Sequence, residues 1–252
     1  MSQPPKRRKK GWMDLRITRI KQETHDTKTF FLVNSDEGTR AFDYIAGQYL
    51  TFRFDALADK PVVRSYTLSS SPNQPDHIAF TVKGVPGGLV SNWLIETPKE
   101  GDILRARGPI GRFVCPLEPA NFHLVMIAAG SGVTPFVSII RQHAPMITQS
   151  QTPKSLTLLV SYRSTKDLIC WEDLQELQQY EGVNIVTTLT RENQDGYWQG
   201  RPSPEMIDRL TLRSYEEKSF MTCGPTEMMD MVVDHLKEKG VSEGSIHTES
   251  FF

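Results

Sequence analysis

Residues 126–135 read Met126-Ile127-Ala128-Ala129-Gly130-Ser131-Gly132-Val133-Thr134-Pro135. The apolar run over Phe122–Ala129 suits a strand covered on both faces. It ends in Gly-x-Gly, and Thr134-Pro135 predicts a helix start, with Thr as N-cap and Pro in the first turn. A tight glycine turn between strand and helix lets backbone amides face a pyrophosphate. Pro135 stands where a Gly-x-Gly-x-x-Gly dinucleotide fingerprint would have its last glycine, so that pattern is not met.

Downstream, the same grammar repeats. Ser155–Tyr162, Asn184–Thr190 and Ser219–Thr222 read as strands. Thr134–His143, Trp171–Tyr180, Pro204–Leu210 and Thr226–Lys239 read as helices. Strands alternating with helices predict a parallel α/β sheet. Upstream, the chain reads as short strands with Gly/Pro turns: Asp14–Lys21, Thr29–Val33, Tyr49–Phe54, Ser65–Ser69, Ile78–Lys83 and Asp102–Gly108. These predict a closed antiparallel β-barrel, interrupted by one helix at Val90–Ile95. The Pro-bounded stretch at 116–119 is the expected junction. The division is a basic tail at 1–11, expected to be disordered, a barrel at 12–117 and an α/β domain at 118–252.

Composition agrees with a globular chain of 252 residues, with 38% hydrophobic and 23% charged residues. No apolar run reaches the ~20 residues of a membrane-spanning helix. The start lacks the apolar segment of a secretory signal. Cys115, Cys170 and Cys223 are too few and scattered for a disulfide framework, so a cytoplasmic setting is expected. The six His show no metal spacing, and no metal site is expected. Lys6-Arg7-Arg8-Lys9-Lys10 carries +5, leaving 24 bases against 30 acids in the remainder. That run reads as a solvated tail or as an electrostatic contact with an acidic surface. Neither nucleic acid binding nor membrane insertion is expected, and the chain is expected to be a monomer.

Four further segments can carry chemistry. In Arg64-Ser65-Tyr66-Thr67, alternation sets Arg64 and Tyr66 on one face: a forked cation for phosphate and a flat ring for stacking. The residues alone equally allow a polar strand with a serine-rich turn. In Gly87-Gly88-Leu89-Val90-Ser91, glycines open a helix whose N-terminus can face an anion, or Ser91 simply serves near the cap. Cys223-Gly224-Pro225 ends a parallel strand, where ligands bind in open sheets, although a lone Cys is more often a small buried hydrophobe. The chain finishes Glu249-Ser250-Phe251-Phe252, either a frayed end or aromatics that pack.

Taken in order, these segments resemble the ferredoxin–NADP reductase superfamily, from about residue 12 onward. Arg64-x-Tyr66-Thr67 is similar to its flavin motif. The resemblance implies that Arg64 binds the FAD pyrophosphate, that Tyr66 packs on the isoalloxazine, and that Thr67 bonds near its N5. It places Gly88, Leu89, Val90 and Ser91 at the phosphates, Lys83 by the ribityl or phosphates, and Thr134 and Phe251 also against FAD. Gly130, Gly132, Thr134 and Pro135 are similar to the nicotinamide-domain loop. Cys223, Gly224 and Pro225 resemble the motif beside the nicotinamide C4. Glu249 matches a terminal acid that serves proton exchange, and Phe251 an aromatic that shields the flavin. The implied catalytic residues are Thr67, Cys223 and Glu249.

Arg163 and Arg191 end two strands where a 2′-phosphate would be read, which favours NADPH over NADH. The implied activity passes hydride from NAD(P)H to FAD, and then electrons to a redox protein such as a ferredoxin or an oxygenase. Reductases of oxygenases or of hybrid-cluster proteins are the nearest type. Multidomain relatives continue past this junction into a [2Fe–2S] domain, which needs four cysteines, and none is expected in this sequence. Two rivals stand beside this reading: a diaphorase-like flavin or quinone reductase, and a flavin- and nucleotide-binding module without turnover.

Overall fold

In the computed structural model, residues 11–116, 122–147 and 153–251 are described. The basic run at 6–10, part of the expected junction, and Phe252 lie outside them. The chain divides between Val114 and Cys115 into two compact units.

The first unit is a six-stranded antiparallel sheet closed on itself. Its strands are β1 (Met13–Thr24), β2 (Thr27–Asn34), β3 (Tyr49–Phe54), β4 (Val62–Thr67), β5 (Ile78–Lys83) and β6 (Ile103–Ile110), in the order β4-β3-β6-β1-β2-β5. Closure comes from an antiparallel bridge between Leu68, just past β4, and Phe80 on β5, continued by Ser69 N–H donating to Ala79 O at 2.8 Å. Alternation fills the interior: Leu50, Phe52 and Phe54 of β3 join Leu15, Ile17, Phe30, Leu32, Phe80 and Leu104. The break in alternation along β1 is a bulge between Ile17 and Arg19, after which Ile20 packs against the same core. One helix, α1 (Leu89–Glu96), follows β5.

The second unit is a six-stranded, wholly parallel sheet in the order β10-β9-β8-β7-β11-β12. Its strands are β7 (His123–Ala129), β8 (Ser155–Tyr162), β9 (Val183–Leu189), β10 (Trp198–Gln199), β11 (Lys218–Cys223) and β12 (Ile246–Glu249). The helices α2 (Thr134–Ile147), α3 (Trp171–Leu177), α4 (Pro204–Leu210) and α5 (Thr226–Glu238) intervene. The central strands β7 and β8 are buried on both faces, as their apolar runs require. The strand order steps outward from β7 to β8 in one direction and to β11 in the other, so the crevice at the carboxyl ends of β7 and β11 is where such sheets bind ligands.

The sequence reading needs correction in three places. Thr134 is not an N-cap: it has helical angles, and its hydroxyl donates to Ser131 O at 3.0 Å. The turn is itself helical, because Gly130–Val133 forms a 3₁₀ turn that runs directly into α2, and Ala129 is the extended residue before it. The strand expected over Ser65–Ser69 lies at Val62–Thr67, since Leu68 to Ser70 turn across to β5. Two edge strands, β10 and β12, were not expected at all; each is short and has a partner on one side only.

Candidate functional site

In the first unit, β3 and β4 place Phe52 opposite Arg64 and Leu50 opposite Tyr66. Arg64 is exposed, and its guanidinium donates to Val63 O at 2.7 Å. Tyr66 is half-buried, its ring 5.6 Å from Phe80 and 6.0 Å from Phe52. Burial pushes its phenol up to about 12, against the Arg64 charge, so the ring is neutral and presents a flat apolar face. Thr67, buried, points to the other side of the strand, opposite Tyr49.

The glycine segment ends at α1. Gly87 has φ +73°, and Gly88 is the extended residue at the helix start. A Cβ on Gly88 would lie 2.3 Å from Ser91 Oγ, so the backbone and the buried Ser91 hydroxyl fold tightly on each other. Leu89 is exposed and Val90 buried. The first N–H groups of the helix lack intrahelical acceptors and carry the positive end of its dipole.

Lys83 is held by a partner the sequence did not suggest: its ammonium donates to both carboxylate oxygens of Asp26, at 2.8 and 2.6 Å. Burial opposes ionisation of Asp26, but Lys83 and the Thr24 hydroxyl outweigh it and hold the carboxyl below its ordinary range. Beside it runs a buried chain that sequence reasoning missed. Ser69 Oγ lies 2.9 Å from Thr81 Oγ1, which lies 2.8 Å from Thr29 Oγ1; Thr29 in turn donates to Glu23 at 2.7 Å. The signal was the coincidence of hydroxyls on β2, on β5 and on the segment just past β4, visible only once register is known.

In the second unit, the two motifs at the sheet's carboxyl edge meet. A Cβ on Gly132 would lie 2.2 Å from Cys223 O and 2.7 Å from its carbonyl carbon, both backbone atoms. Only glycine permits this approach. Gly130, by contrast, faces open space at φ +54°. Gly224 sits against Ala129, its hypothetical Cβ 3.3 Å away, and Pro225 is exposed at the start of α5. Thr134 and Pro135 are buried in the first turn of α2.

Cys223 is fully buried. Burial first, and the Glu249 charge second, raise its thiol pKa far above neutrality, so it is an uncharged, unreactive side chain. The pairing of β11 with β12 sets Glu249 beside Cys223. Burial pushes the Glu249 carboxyl up to about 7, and its Oε2 has no hydrogen-bond partner among the described residues. Phe251, two residues on, is 40% exposed.

Arg163 and Arg191 are brought together: Arg191 N–H donates to Arg163 O at 2.8 Å. Both side chains are exposed. Glu192 fixes this corner by accepting from Thr165 N–H at 2.7 Å and from its hydroxyl. Arg201, further along, has a loose contact of 3.8 Å with Glu227.

Residues 14–115 match the oxidoreductase FAD-binding domain, and residues 126–234 match the oxidoreductase NAD-binding domain. The chain is 31% identical over 240 residues to the glycine betaine monooxygenase reductase subunit of Pseudomonas aeruginosa, covering 94% of this chain and 63% of that protein. It is 29% identical to the NADH oxidoreductase HCR of Escherichia coli, covering 94% of this chain and 67% of that protein. The FAD/NAD-binding domain of nitric oxide dioxygenase from Vibrio cholerae superposes with a TM-score of 0.83 at 27% identity, covering 94% of this chain and 98% of that one. This chain belongs to the ferredoxin reductase-like oxidoreductases, which join an FAD-binding barrel to an NAD-binding parallel sheet.

Proposed function

We propose that the chain is an FAD-dependent NAD(P)H oxidoreductase that feeds electrons to a protein acceptor. The observation that carries the reading is the contact of Gly132 with the Cys223–Gly224 peptide, which builds one crevice from two separate motifs. FAD, when bound, supplies the two-electron to one-electron conversion that the polypeptide lacks.

The residues present fit that group. Arg64 offers a forked cation to a pyrophosphate, the start of α1 with Gly88, Leu89, Val90 and Ser91 offers amides, and Tyr66 offers a neutral aromatic face. Thr67 offers a hydroxyl at the end of the same strand. Lys83 reaches a ligand only by sharing or leaving its Asp26 pair. On the nucleotide side, Gly130, Gly132, Thr134 and Pro135 form the pyrophosphate turn. Cys223, Gly224 and Pro225 bound the nicotinamide pocket as an apolar wall. Glu249, its carboxyl raised to about 7, offers an exchangeable proton, and Phe251 offers a partly exposed aromatic ring. Arg163 and Arg191, adjacent and exposed, support NADPH, whereas the Escherichia coli relative is named for NADH.

A protein acceptor is favoured because the Pseudomonas relative is named a reductase subunit. The test is reduction of one-electron protein acceptors against free flavin, quinone and oxygen. Faster turnover with protein acceptors supports the proposal. Faster turnover with small acceptors makes the chain a diaphorase, and no turnover with bound FAD makes it a binding module.

A further inference from the structure

The parallel pairing of β11 with β12 sets Met221 beside His247 and Cys223 beside Glu249. Alternation then puts His247 and Glu249 on one face of β12, with Ser219, Met221 and Cys223 on the same face of β11. The opposite face carries Phe220 and Ile246, packed with Ile207, Val232 and Leu236. On the first face, Ser219 Oγ, His247 Nε2 and Glu249 Oε2 are all buried without a hydrogen-bond partner among the described residues.

A buried polar atom left without a partner is destabilising. Three on one face of one strand pair call for a shared explanation. Residues two apart on a strand stand roughly 6.6 Å apart. His247 Nε2 and Glu249 Oε2 nonetheless make no direct hydrogen bond to each other, and the half-buried His247 side chain still reaches the surface, so water entering beside it can bridge the two. A buried water needs two to four polar partners, and this face supplies them. Burial holds the His247 pKa below its ordinary value, so the ring is neutral and carries one donor and one acceptor nitrogen. Burial alone raises the Glu249 carboxyl. The titratable neighbour across from Glu249 is the neutral Cys223, and across from His247 stands Met221, which does not titrate.

We propose that His247 is a proton-relay residue, linking Glu249 to solvent through water held along the Ser219 face of β11 and β12. When the Glu249 carboxyl gives up its proton, the His247 ring donates a proton through water to the carboxylate and accepts one from water on its other nitrogen. One proton moves, no electron moves, and the ring is left as the other tautomer. The use of this path in turnover rests on the oxidoreductase reading, but its existence does not.

The test therefore needs no turnover. The infrared carboxyl band of Glu249, assigned by its loss in Glu249→Gln, is followed on transfer into D₂O at pH 6. His247→Gln and His247→Leu are expected to slow its exchange by on the order of tenfold or more, with exchange restored by added imidazole. Unchanged exchange in either folded variant overturns the relay. So does slowed exchange that imidazole fails to restore, because His247 would then be a structural support. FAD binding and flavin reduction, measured separately on the wild-type protein, report on the oxidoreductase reading alone.

Discussion

Gly132→Ala tests the contact that assembles the crevice. The new methyl carbon would stand 2.2 Å from Cys223 O, where carbon and oxygen need roughly 3.3 Å. The obstacle is backbone on both sides, so no side chain can swing away, and the two loops must part by about 1 Å. Overpacking of this kind costs about 1–3 kcal/mol. For a unit of this size that is a fall of roughly 2–12 °C in the unfolding midpoint. A shift of about 1 Å in a positioning loop also costs on the order of 10²-fold in the reaction it positions. The assays are thermal unfolding by circular dichroism and the rate of flavin reduction by NAD(P)H. Gly244→Ala is the control, because a Cβ there meets nothing within 4 Å and no unusual φ is required. If the two variants unfold at the same temperature and reduce flavin at the same rate, the reasoning is refuted.

Other outcomes follow from the same geometry. Arg64→Ala is expected to purify with less bound FAD than wild type, and full flavin content would contradict its assignment. Cys223→Ala is expected to retain FAD and reduce it more slowly, which stopped-flow absorbance reads directly. Burial raises the folded Glu249 pKa from 4.5 to about 7, so its contribution is full below pH 4.5 and is lost as pH rises through 7. With screening allowed for, Glu249→Gln should gain about 1–3 kcal/mol over wild type between pH 4.5 and 8, measured by urea unfolding. Asp208 accepts hydrogen bonds from Tyr215 and from His235 (2.8 Å), and the Tyr215 bond is the main cause holding its carboxyl down to about 2. That contribution is present above pH 3.8 and lost as pH falls toward 2, so Tyr215→Phe should raise the midpoint pH of acid unfolding.

The two grammars of the chain were legible because burial writes itself into side-chain period. Leu50, Phe52 and Phe54 alternate and line the barrel, while the unbroken apolar stretches of β7 and β8 are covered on both faces. What escaped were features that depend on register between distant segments. β12 is four residues long and polar at all but Ile246, and it becomes a strand only because β11 lies beside it. Thr134 looked like a cap because Ser/Thr before Pro usually is one, yet the 3₁₀ turn at Gly130–Val133 had already begun the helix. The glycine turn and the Cys-Gly-Pro corner were each readable alone. Their contact through Gly132 was not, since nothing in either stretch states how near the other's backbone comes. His247 gave no signal, because a lone histidine near a terminus becomes informative only when its neighbours across the strand are known.

Anaerobic titration of the FAD-loaded protein with NADH and NADPH, side by side, bears most directly on the assignment. Stoichiometric bleaching of the flavin absorbance by at least one of the two is expected, with NADPH acting at lower concentration because of Arg163 and Arg191. A protein that takes up no FAD, or whose flavin stays oxidised with both nucleotides, would contradict it.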